Sequence, residues 1–217
     1  MTTYIIGDIH GCYTELQELL RLIRVRPDDD IIALGDLFDR GPQPERVWAW
    51  LRDSPNVISL RGNHEQKHLL GAAGEIDLPH AHLTTRQRIG VEYDLMLSMA
   101  AEMPLYLDLG QALLVHGYYL PGVAPDDQPP QVLLGMDDDA AFGEDGQPWY
   151  EHYDRQQTLI VGHRDYTGQQ RPFIHQTGQT RIFGLDTRCV YGGSLTALRL
   201  PDWRLFSVQA HHVYWTV

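Results

Sequence analysis

The sequence has few of the features that mark membrane or disulfide-stapled proteins. It contains only two cysteines among 217 residues, and no run approaches the ~20 apolar residues that a membrane-spanning helix needs. The first eight residues carry neither a basic segment nor a cleavable apolar stretch, so we expect no signal peptide. Because so few cysteines suit a reducing compartment, we expect a cytoplasmic protein with no membrane partner.

Positive charge is also scarce. Lys67 is the only lysine, the formal net charge at pH 7 is −12, and the arginines form no cluster or stripe. Proteins that bind along a nucleic-acid backbone depend on such cations, so we expect no sequence-wide nucleic-acid binding. An anionic substrate would have to be attracted by a local site rather than by the field of the whole protein.

The remaining composition is typical of one globular domain, which we expect to span residues 1–217. Apolar residues make up 43% and charged residues 21% of the chain, close to the averages for proteins with a buried core. In the first third of the chain, strands and helices alternate, which predicts parallel strands in a sheet covered on both faces. The predicted strands are 4–7, 31–34 and 57–60, and the predicted helices are 13–24, 44–52 and one that begins near 63.

Beyond this point the alternation stops. Residues 71–103 predict a helical insertion over the sheet edge, with one helix from 84 to about 102. Residues 124–154 are rich in proline, glycine and acidic residues and predict a long, mobile loop. The further predicted strands are 105–109, 112–116, 159–162, 181–185, 195–200 and 205–208. We therefore expect an α/β fold with helices outside and a second β-layer from the C-terminal half.

Three short motifs directly follow the first three predicted strands. They are Gly7-Asp8-Ile9-His10-Gly11, Gly35-Asp36-Leu37-Phe38-Asp39-Arg40-Gly41 and Gly62-Asn63-His64-Glu65. In an extended segment, residues two apart face the same way, so Asp8 and His10 can converge on one ion. Two later histidines, His116 and His163, also follow apolar strands. Open α/β sheets place their sites at the carboxyl ends of strands, and we expect all these motifs to meet there.

Together these motifs offer a mixed set of oxygen and nitrogen ligands. Carboxylates, an amide and imidazoles suit Mn, Fe, Zn or Co better than Ca, which prefers oxygen alone, and Mn is our first choice. The set is larger than one mononuclear site with open positions normally takes, and two divalent ions that share one carboxylate explain the surplus. The candidate ligands are Asp8, His10, Asp36, Asn63, His116 and His163.

The order of these motifs resembles that of the calcineurin-like metallophosphoesterases. The likeness runs from residue 7 to about 193, where Tyr191-Gly192-Gly193 ends it, and is strongest to the phosphoprotein phosphatase branch. That branch includes Ser/Thr phosphatases and symmetrical dinucleoside-tetraphosphate hydrolases. One motif alone would be weak evidence, whereas five in order make a chance match improbable. The resemblance implies an α/β/β/α sandwich of two mixed sheets flanked by helices.

The resemblance also implies a role for each candidate residue. The first metal is held by Asp8 and His10, the second by Asn63, His116 and His163, and Asp36 is shared by both. His64 donates a proton to the leaving oxygen, Asp39 orients His64, and Arg40 clamps the phosphate. Metals lower the pKa of the water between them, and proton donation to a poor leaving group contributes about 10²–10⁴-fold.

The sequence departs from the family pattern after the last metal histidine. Many relatives have Gly-His-x-His, whereas this chain has Gly162-His163-Arg164-Asp165. We hypothesise that Asp165 reaches the first metal in place of the missing histidine. A second phosphate-binding arginine is also expected, and Arg155 and Arg164 compete for that role. Arg188 stands where relatives often have glycine and is expected to narrow the pocket mouth.

Two functions fit this pattern, and a third is a remote alternative. The first is hydrolysis of phosphate monoesters in the manner of a Ser/Thr protein phosphatase, and the alternative is symmetrical hydrolysis of bis(5'-nucleosyl) tetraphosphates. The third, a catalytically silent phosphate-binding module, predicts the loss of a ligand or of His64, and every such position is filled. The expected partners are a phosphorylated small molecule, a phosphoprotein or a dinucleoside polyphosphate.

Two residue pairs outside the motifs complete the expectations. Cys12 follows the first motif and Cys189 lies near the last, so we expect them to be neighbours and free thiols. Tyr118 and Tyr119 follow His116, and we expect them to fill the core rather than stack on a substrate.

Overall fold

The computed structural model describes residues 2–178 and 180–216 and contains two β-sheets. In chain order, the strands are β1 (Thr3–Ile6), β2 (Asp30–Ala33), β3 (Val57–Ser59), β4 (Tyr106–Asp108), β5 (Ala112–Val115), β6 (Thr158–Val161), β7 (Phe173–Thr177), β8 (Thr180–Gly184), β9 (Ser194–Leu200) and β10 (Arg204–Gln209). The first sheet has the order β10-β9-β1-β2-β3, and the second has the order β4-β5-β6-β8-β7.

Both sheets are mixed, with a parallel centre. In the first sheet β1, β2 and β3 are parallel, β9 pairs antiparallel with β1, and β10 pairs antiparallel with β9. In the second sheet β5, β6 and β8 are parallel, and β4 and β7 close the edges antiparallel. The predicted α/β fold, with a second β-layer from the C-terminal half, is confirmed. Strand β7 was not predicted, because it is a mostly exposed edge strand with little apolar patterning.

Helices cover the outer face of the first sheet. They are α1 (Tyr13–Ile23), α2 (Pro44–Asp53), α3 (Asn63–Ala72), α4 (His80–Ile89) and α5 (Tyr93–Glu102), and the short α6 (Pro130–Leu133) belongs to the second half. On α1 the buried side chains of Leu16, Leu19 and Ile23 recur at helical spacing and face the sheet. Among these described helices, none has the length and apolar character needed to cross a membrane.

The core lies in three layers, one between the sheets and one outside each of them. The layer between the sheets joins Ile5 and Ile32 of the first sheet to Leu114 and Ile160 of the second. Each such fully buried side chain contributes roughly 1.5–3 kcal/mol relative to its exposed state. This layer packs the two sheets against each other and so fixes the positions of their strand ends relative to one another.

Two local expectations need correction. The predicted helix over 84–102 is broken at Gly90, whose φ of +65° ends α4 before α5 begins. The predicted mobile loop over 124–154 instead contains short helical turns, and its Val132 and Trp149 are buried in the outer layer of the second sheet. Apolar residues spaced between the acidic and proline positions account for this packing. The helical insertion itself is present, and Met99 and Met103 of its last segment lie beside the edge strand β3.

Candidate active site

The sequence motifs meet where strands of both sheets end. Asp8 follows β1, Asp36 follows β2, His116 follows β5 directly and His163 follows β6, while Asn63 begins α3. The backbone N–H of His163 donates to both oxygens of Asp8, at 3.0 and 3.1 Å, although the two residues are 155 positions apart. The structure thus brings the first and the last of the predicted ligands together across the two sheets.

Asp36 lies between two groups of histidines. Its Oδ2 is 3.5 Å from Nε2 of His10, and its Oδ1 is 3.4 Å from Nε2 of His116. The ligand atoms of His10, Asp36 and His64 all lie within 4.8 Å of one another, and so do those of Asp36, His116 and His163. Asp36 is thus common to a group with His10 and a group with His116 and His163, the position expected of a carboxylate shared by two ions.

The polar atoms around His116 fit a cation. The Nδ1 of His116 lies 2.8 Å from the carbonyl oxygen of Leu34, to which it donates, so its Nε2 carries a lone pair. That lone pair faces the amide of Asn63 at 3.1 Å and a carboxylate oxygen of Asp36 at 3.4 Å. Acceptors that face one another are satisfied either by a cation between them or by an Asn63 amide that turns its NH₂ toward them. These nitrogen and oxygen ligand atoms therefore suit a divalent metal.

Carboxylates are concentrated beside this group. Burial and the nearby Asp186 and Asp36 raise the pKa of Asp8 well above its ordinary value. Burial raises the pKa of Asp186 to about 6, and Asp36 adds to that rise. Asp186, which directly follows the predicted strand 181–185 but was not among the candidate ligands, is thus a third carboxylate at the site. Positive charge placed beside Asp8 and Asp186 would bring both pKa values back toward their ordinary range.

Asp39 joins three histidines on the opposite side of Asp36. Its Oδ2 is 3.0 Å from Nδ1 of His64, and its Oδ1 is 3.1 Å from Nε2 of His68. The ring of His82, from α4, lies parallel to that of His64, with centroids 4.8 Å apart. Burial opposes the ionisation of Asp39, yet its bonds to His64 and His68 hold its pKa well below the usual range. His68 and His82 were not predicted, because nothing in their local sequence marks them.

Glu65 ties the second motif to the third. This fully buried carboxylate accepts backbone N–H bonds from Asp36 at 2.9 Å, Leu37 at 2.8 Å and Gly62 at 3.0 Å. Burial raises its pKa to about 8, and the negative charge of Asp36 acts in the same direction. A glutamate three positions after a helix cap is a recognisable signal, so the motif could have predicted this role.

The backbone around the site is held in uncommon conformations. His10, Asp36, Arg40, His163 and Arg188 all have φ between +46° and +77°, although none is a glycine. Such residues cost roughly 1–3 kcal/mol each and persist where the surrounding structure determines them fully. A side chain on the adjacent Gly41 would place its Cβ 1.8 Å from the carbonyl oxygen of His10, so only glycine fits there. The loops are therefore shaped for their side chains rather than relaxed.

Three arginines, Arg40, Arg164 and Arg188, line a cleft that also includes the candidate ligands His10 and His163. The cleft has a volume of about 370 Å³, and its lining is His10, Arg40, His163, Arg164, Asp165, Asp186, Arg188 and Tyr191. The guanidinium carbons of Arg40 and Arg188 lie 5.7 and 4.4 Å from the ring centroid of Tyr191, which orders both side chains. Arg188, expected at the pocket mouth, is thus part of the cleft.

Two of the predicted accessory residues have other surroundings. Within the described chain, Arg155 lies outside the lining of this cleft and interacts with Tyr119. The carboxylate of Asp165 accepts backbone N–H bonds from Thr167 at 2.9 Å, Gly168 at 3.1 Å and Gln170 at 2.8 Å. Because both of its oxygens organise this loop, the structure gives no support to Asp165 as a metal ligand.

The remaining pairs lie beside the site. Cys12 and Cys189 are buried free thiols whose sulfur atoms lie within 4.8 Å of each other and of a Glu15 oxygen. Tyr118 and Tyr119 are buried, at 0% and 1% exposure, as core filling requires.

Comparison with known proteins agrees with this geometry. The sequence profile of the calcineurin-like phosphoesterases matches residues 1–205. A symmetrical bis(5'-nucleosyl)-tetraphosphatase of Methylobacillus flagellatus is 27% identical, over 97% of this chain and 96% of its own. An asymmetrical bis(5'-nucleosyl)-tetraphosphatase, PrpE, of a Geobacillus species is 30% identical, over 97% of this chain and 95% of its own.

Solved structures share the fold. A crystal structure of a candidate diadenosine tetraphosphatase superimposes with a TM-score of 0.75 at 24% identity, covering 96% of this chain and 93% of its own. The resemblance drawn from the sequence motifs is therefore confirmed. The chain belongs to the calcineurin-like phosphoesterase family and is a metal-dependent hydrolase of phosphoric esters.

Proposed function

We propose that this enzyme hydrolyses bis(5'-nucleosyl) tetraphosphates. The observation that carries the proposal is the cleft in which Arg40, Arg164 and Arg188 stand over the two histidine groups. Each guanidinium can hold a phosphate through paired N–H bonds, so three of them suit a chain of phosphates better than a single phosphate ester. These arginines supply local positive charge to a protein whose formal net charge is −12.

The relatives support the same substrate class. Proteins named as symmetrical and as asymmetrical tetraphosphatases both align with nearly the whole chain. Hydrolysis of monoesters in the manner of a Ser/Thr phosphatase, which the sequence placed first, is favoured by no feature of the cleft. The likeness of this chain to the structure of a yeast Ser/Thr phosphatase, at 17% identity, is a likeness of fold only.

Two divalent ions complete the proposed site. Their ligands would be Asp8, His10, Asp36, Asn63, His116 and His163, with Mn²⁺ as the expected ion. When bound, the ions supply a coordinated water of lowered pKa and withdraw charge from the phosphoryl oxygens.

Residues of the chain itself would handle the leaving group. Nδ1 of His64 donates to Asp39, so its Nε2 is the atom left to serve the substrate. That Nε2 is buried and has no hydrogen-bond partner among the described residues, and it lies 3.9 Å from Asp36 Oδ2. With a proton on both ring nitrogens, His64 would give the Nε2 proton to the leaving oxygen and keep the Nδ1 proton that Asp39 accepts. Arg40, 3.3 Å from His10, would hold the phosphate.

The proposal is tested by comparing substrates under one set of conditions. Purified enzyme with Mn²⁺ is assayed on diadenosine tetraphosphate, a phosphoserine peptide and p-nitrophenyl phosphate. We expect the highest kcat/KM for the tetraphosphate, and a preference for the phosphopeptide would overturn the proposal. The products identify the bond that is cleaved, since symmetrical cleavage gives two ADP and asymmetrical cleavage gives AMP and ATP. A chelator-treated sample is the control for metal dependence.

A further inference from the structure

A second cavity, lined by aromatic rings, adjoins the arginine cleft. It has a volume of about 180 Å³, and its rings are those of Tyr118, Phe142, Trp149, Tyr150 and Tyr166. Arg164 and Asp165 line this cavity as well as the arginine cleft. Complete ligand pockets usually measure about 300–1,000 Å³, so the aromatic cavity suits one planar part of a ligand rather than a whole molecule.

Phe142 presents an exposed ring at this cavity. Its exposed fraction is 57%, although large aromatic side chains are usually covered. The backbone that carries it is fixed, because Phe142 bridges to Pro148 and the N–H of Gly143 donates to the Gln147 oxygen at 2.7 Å. The ring is thus available for stacking at little cost in ordering the chain.

Tyr118 connects the aromatic cavity to the candidate metal ligands. Its hydroxyl accepts a bond from Arg164 Nη1 at 3.1 Å and lies 3.4 Å from Nε2 of His163. Its ring centroid is 5.4 Å from that of His163 and 6.4 Å from that of Trp149. The Tyr118 ring thus lies between His163, in the lining of the arginine cleft, and Trp149, in the lining of the aromatic cavity.

We propose that the aromatic cavity binds a nucleobase of the substrate, with the face of Phe142 against the base and Arg164 on the phosphate side. The inference rests on the proposed function in taking the substrate to be a nucleotide. Stacking of a base on an aromatic side chain tolerates any base, because every base has a π-face. The cavity therefore recognises nucleosides as a class and gives the enzyme its distinction from simple phosphate esters.

The experiment compares two ligands that differ only in the base. Dissociation constants of AMP and ribose 5-phosphate are measured by calorimetry on the full chain with Mn²⁺. We expect the wild-type protein to bind AMP about tenfold more tightly than ribose 5-phosphate. In Phe142→Ala the two ligands should bind equally, with the affinity for ribose 5-phosphate unchanged, while Phe142→Tyr should keep the preference for AMP.

The exposed Leu22, on the outer face of α1, provides a matched control. Leu22→Ala removes an exposed apolar side chain that is outside the lining of both the arginine cleft and the aromatic cavity, and it should leave both dissociation constants unchanged. A wild-type protein that does not prefer AMP, or a Phe142→Ala protein that still does, overturns the inference. Neither result depends on tetraphosphate turnover, so failure of this site and failure of the proposed function are told apart.

Discussion

Asp39 Oδ2 lies 3.0 Å from Nδ1 of His64, and this contact leaves Nε2 as the ring nitrogen that can meet the substrate. With Nδ1–H donating to the carboxylate, Nε2 is the nitrogen from which the doubly protonated ring can donate, and it points away from Asp39. The second oxygen of Asp39 is 3.1 Å from His68 and so cannot rotate freely. The carboxylate therefore keeps a proton on Nδ1 and fixes the direction of the His64 ring.

Asp39→Asn is expected to affect poor leaving groups most. The amide cannot hold His64 as the same tautomer, so proton donation to the leaving oxygen is lost. For a phosphoserine peptide, whose leaving group is an alkoxide, we expect kcat to fall about 10²–10³-fold. For p-nitrophenyl phosphate, whose leaving group needs no proton, the fall should be under about tenfold. Equal losses on both substrates would show that Asp39 acts on something other than proton transfer.

The stacked ring of His82 gives a second prediction. It lies parallel to His64, with an interplanar angle of 9°, and its Nε2 is 3.4 Å from Asp39 Oδ2. Burial lowers the pKa of His82 to about 3, so it packs as a neutral ring. His82→Ala should lower kcat about tenfold by loosening His64, whereas His82→Phe should retain most of the activity. Metal content, measured by mass spectrometry, should be normal in both, and a loss of metal would assign His82 a different role.

The arginines of the cleft can be ranked by substitution. Arg188→Ala removes a charged donor from the cleft and should raise KM for diadenosine tetraphosphate about 10–100-fold, with a smaller effect on kcat. Arg155→Ala is the matched control, because Arg155 lies outside the cleft, and its KM should stay within about threefold of the wild-type value. If Arg155→Ala shows the larger effect, the phosphates bind elsewhere.

Much of the site could be predicted because its residues occupy a repeated position. Asp8 and Asp36 each follow a short apolar strand, and strand ends of parallel sheets converge whatever the rest of the chain does. The order of the motifs also predicted the fold class and the family. Local patterns of this kind place a residue at the end of a strand, but they do not show which distant segments pack beside it.

The residues that were missed depend on tertiary packing. His82 lies in the first turn of α4, 18 residues after His64, and reaches that ring only through the packing of the insertion against α3. Asp186 follows a strand of the second sheet, and its proximity to Asp8 depends on how the two sheets face each other. His82 therefore could not be predicted from periodicity, whereas Asp186 directly follows the predicted strand 181–185, in the position that Asp8 and Asp36 have after theirs, and could have been included.

Buried ionisable groups make the metal-free protein sensitive to pH in two directions. Burial lowers the pKa of His163 to about 3, so below the ordinary histidine value of 6.5 the unfolded chain binds more protons and stability rises with pH. Burial and Asp36 raise the pKa of Glu65 from 4.5 to about 8, so the folded chain binds more protons in that range. Between pH 6.5 and 8 the histidines no longer change the free energy of unfolding with pH. That free energy falls as pH rises, because folded Glu65 holds a proton that the unfolded chain has lost.

Metal binding should reverse this fall. We expect the thermal midpoint of the chelated protein to be highest near pH 6.5 and to drop toward pH 8, because Glu65 must then lose its proton beside Asp36. Mn²⁺ offsets the charge of Asp36 and competes with protons, so it should raise the midpoint more at pH 8 than at pH 5.5. Scanning calorimetry with and without Mn²⁺ measures both effects. In Glu65→Gln the fall between pH 6.5 and 8 should flatten, whatever the absolute midpoint, and an undiminished fall would place the titrating group elsewhere.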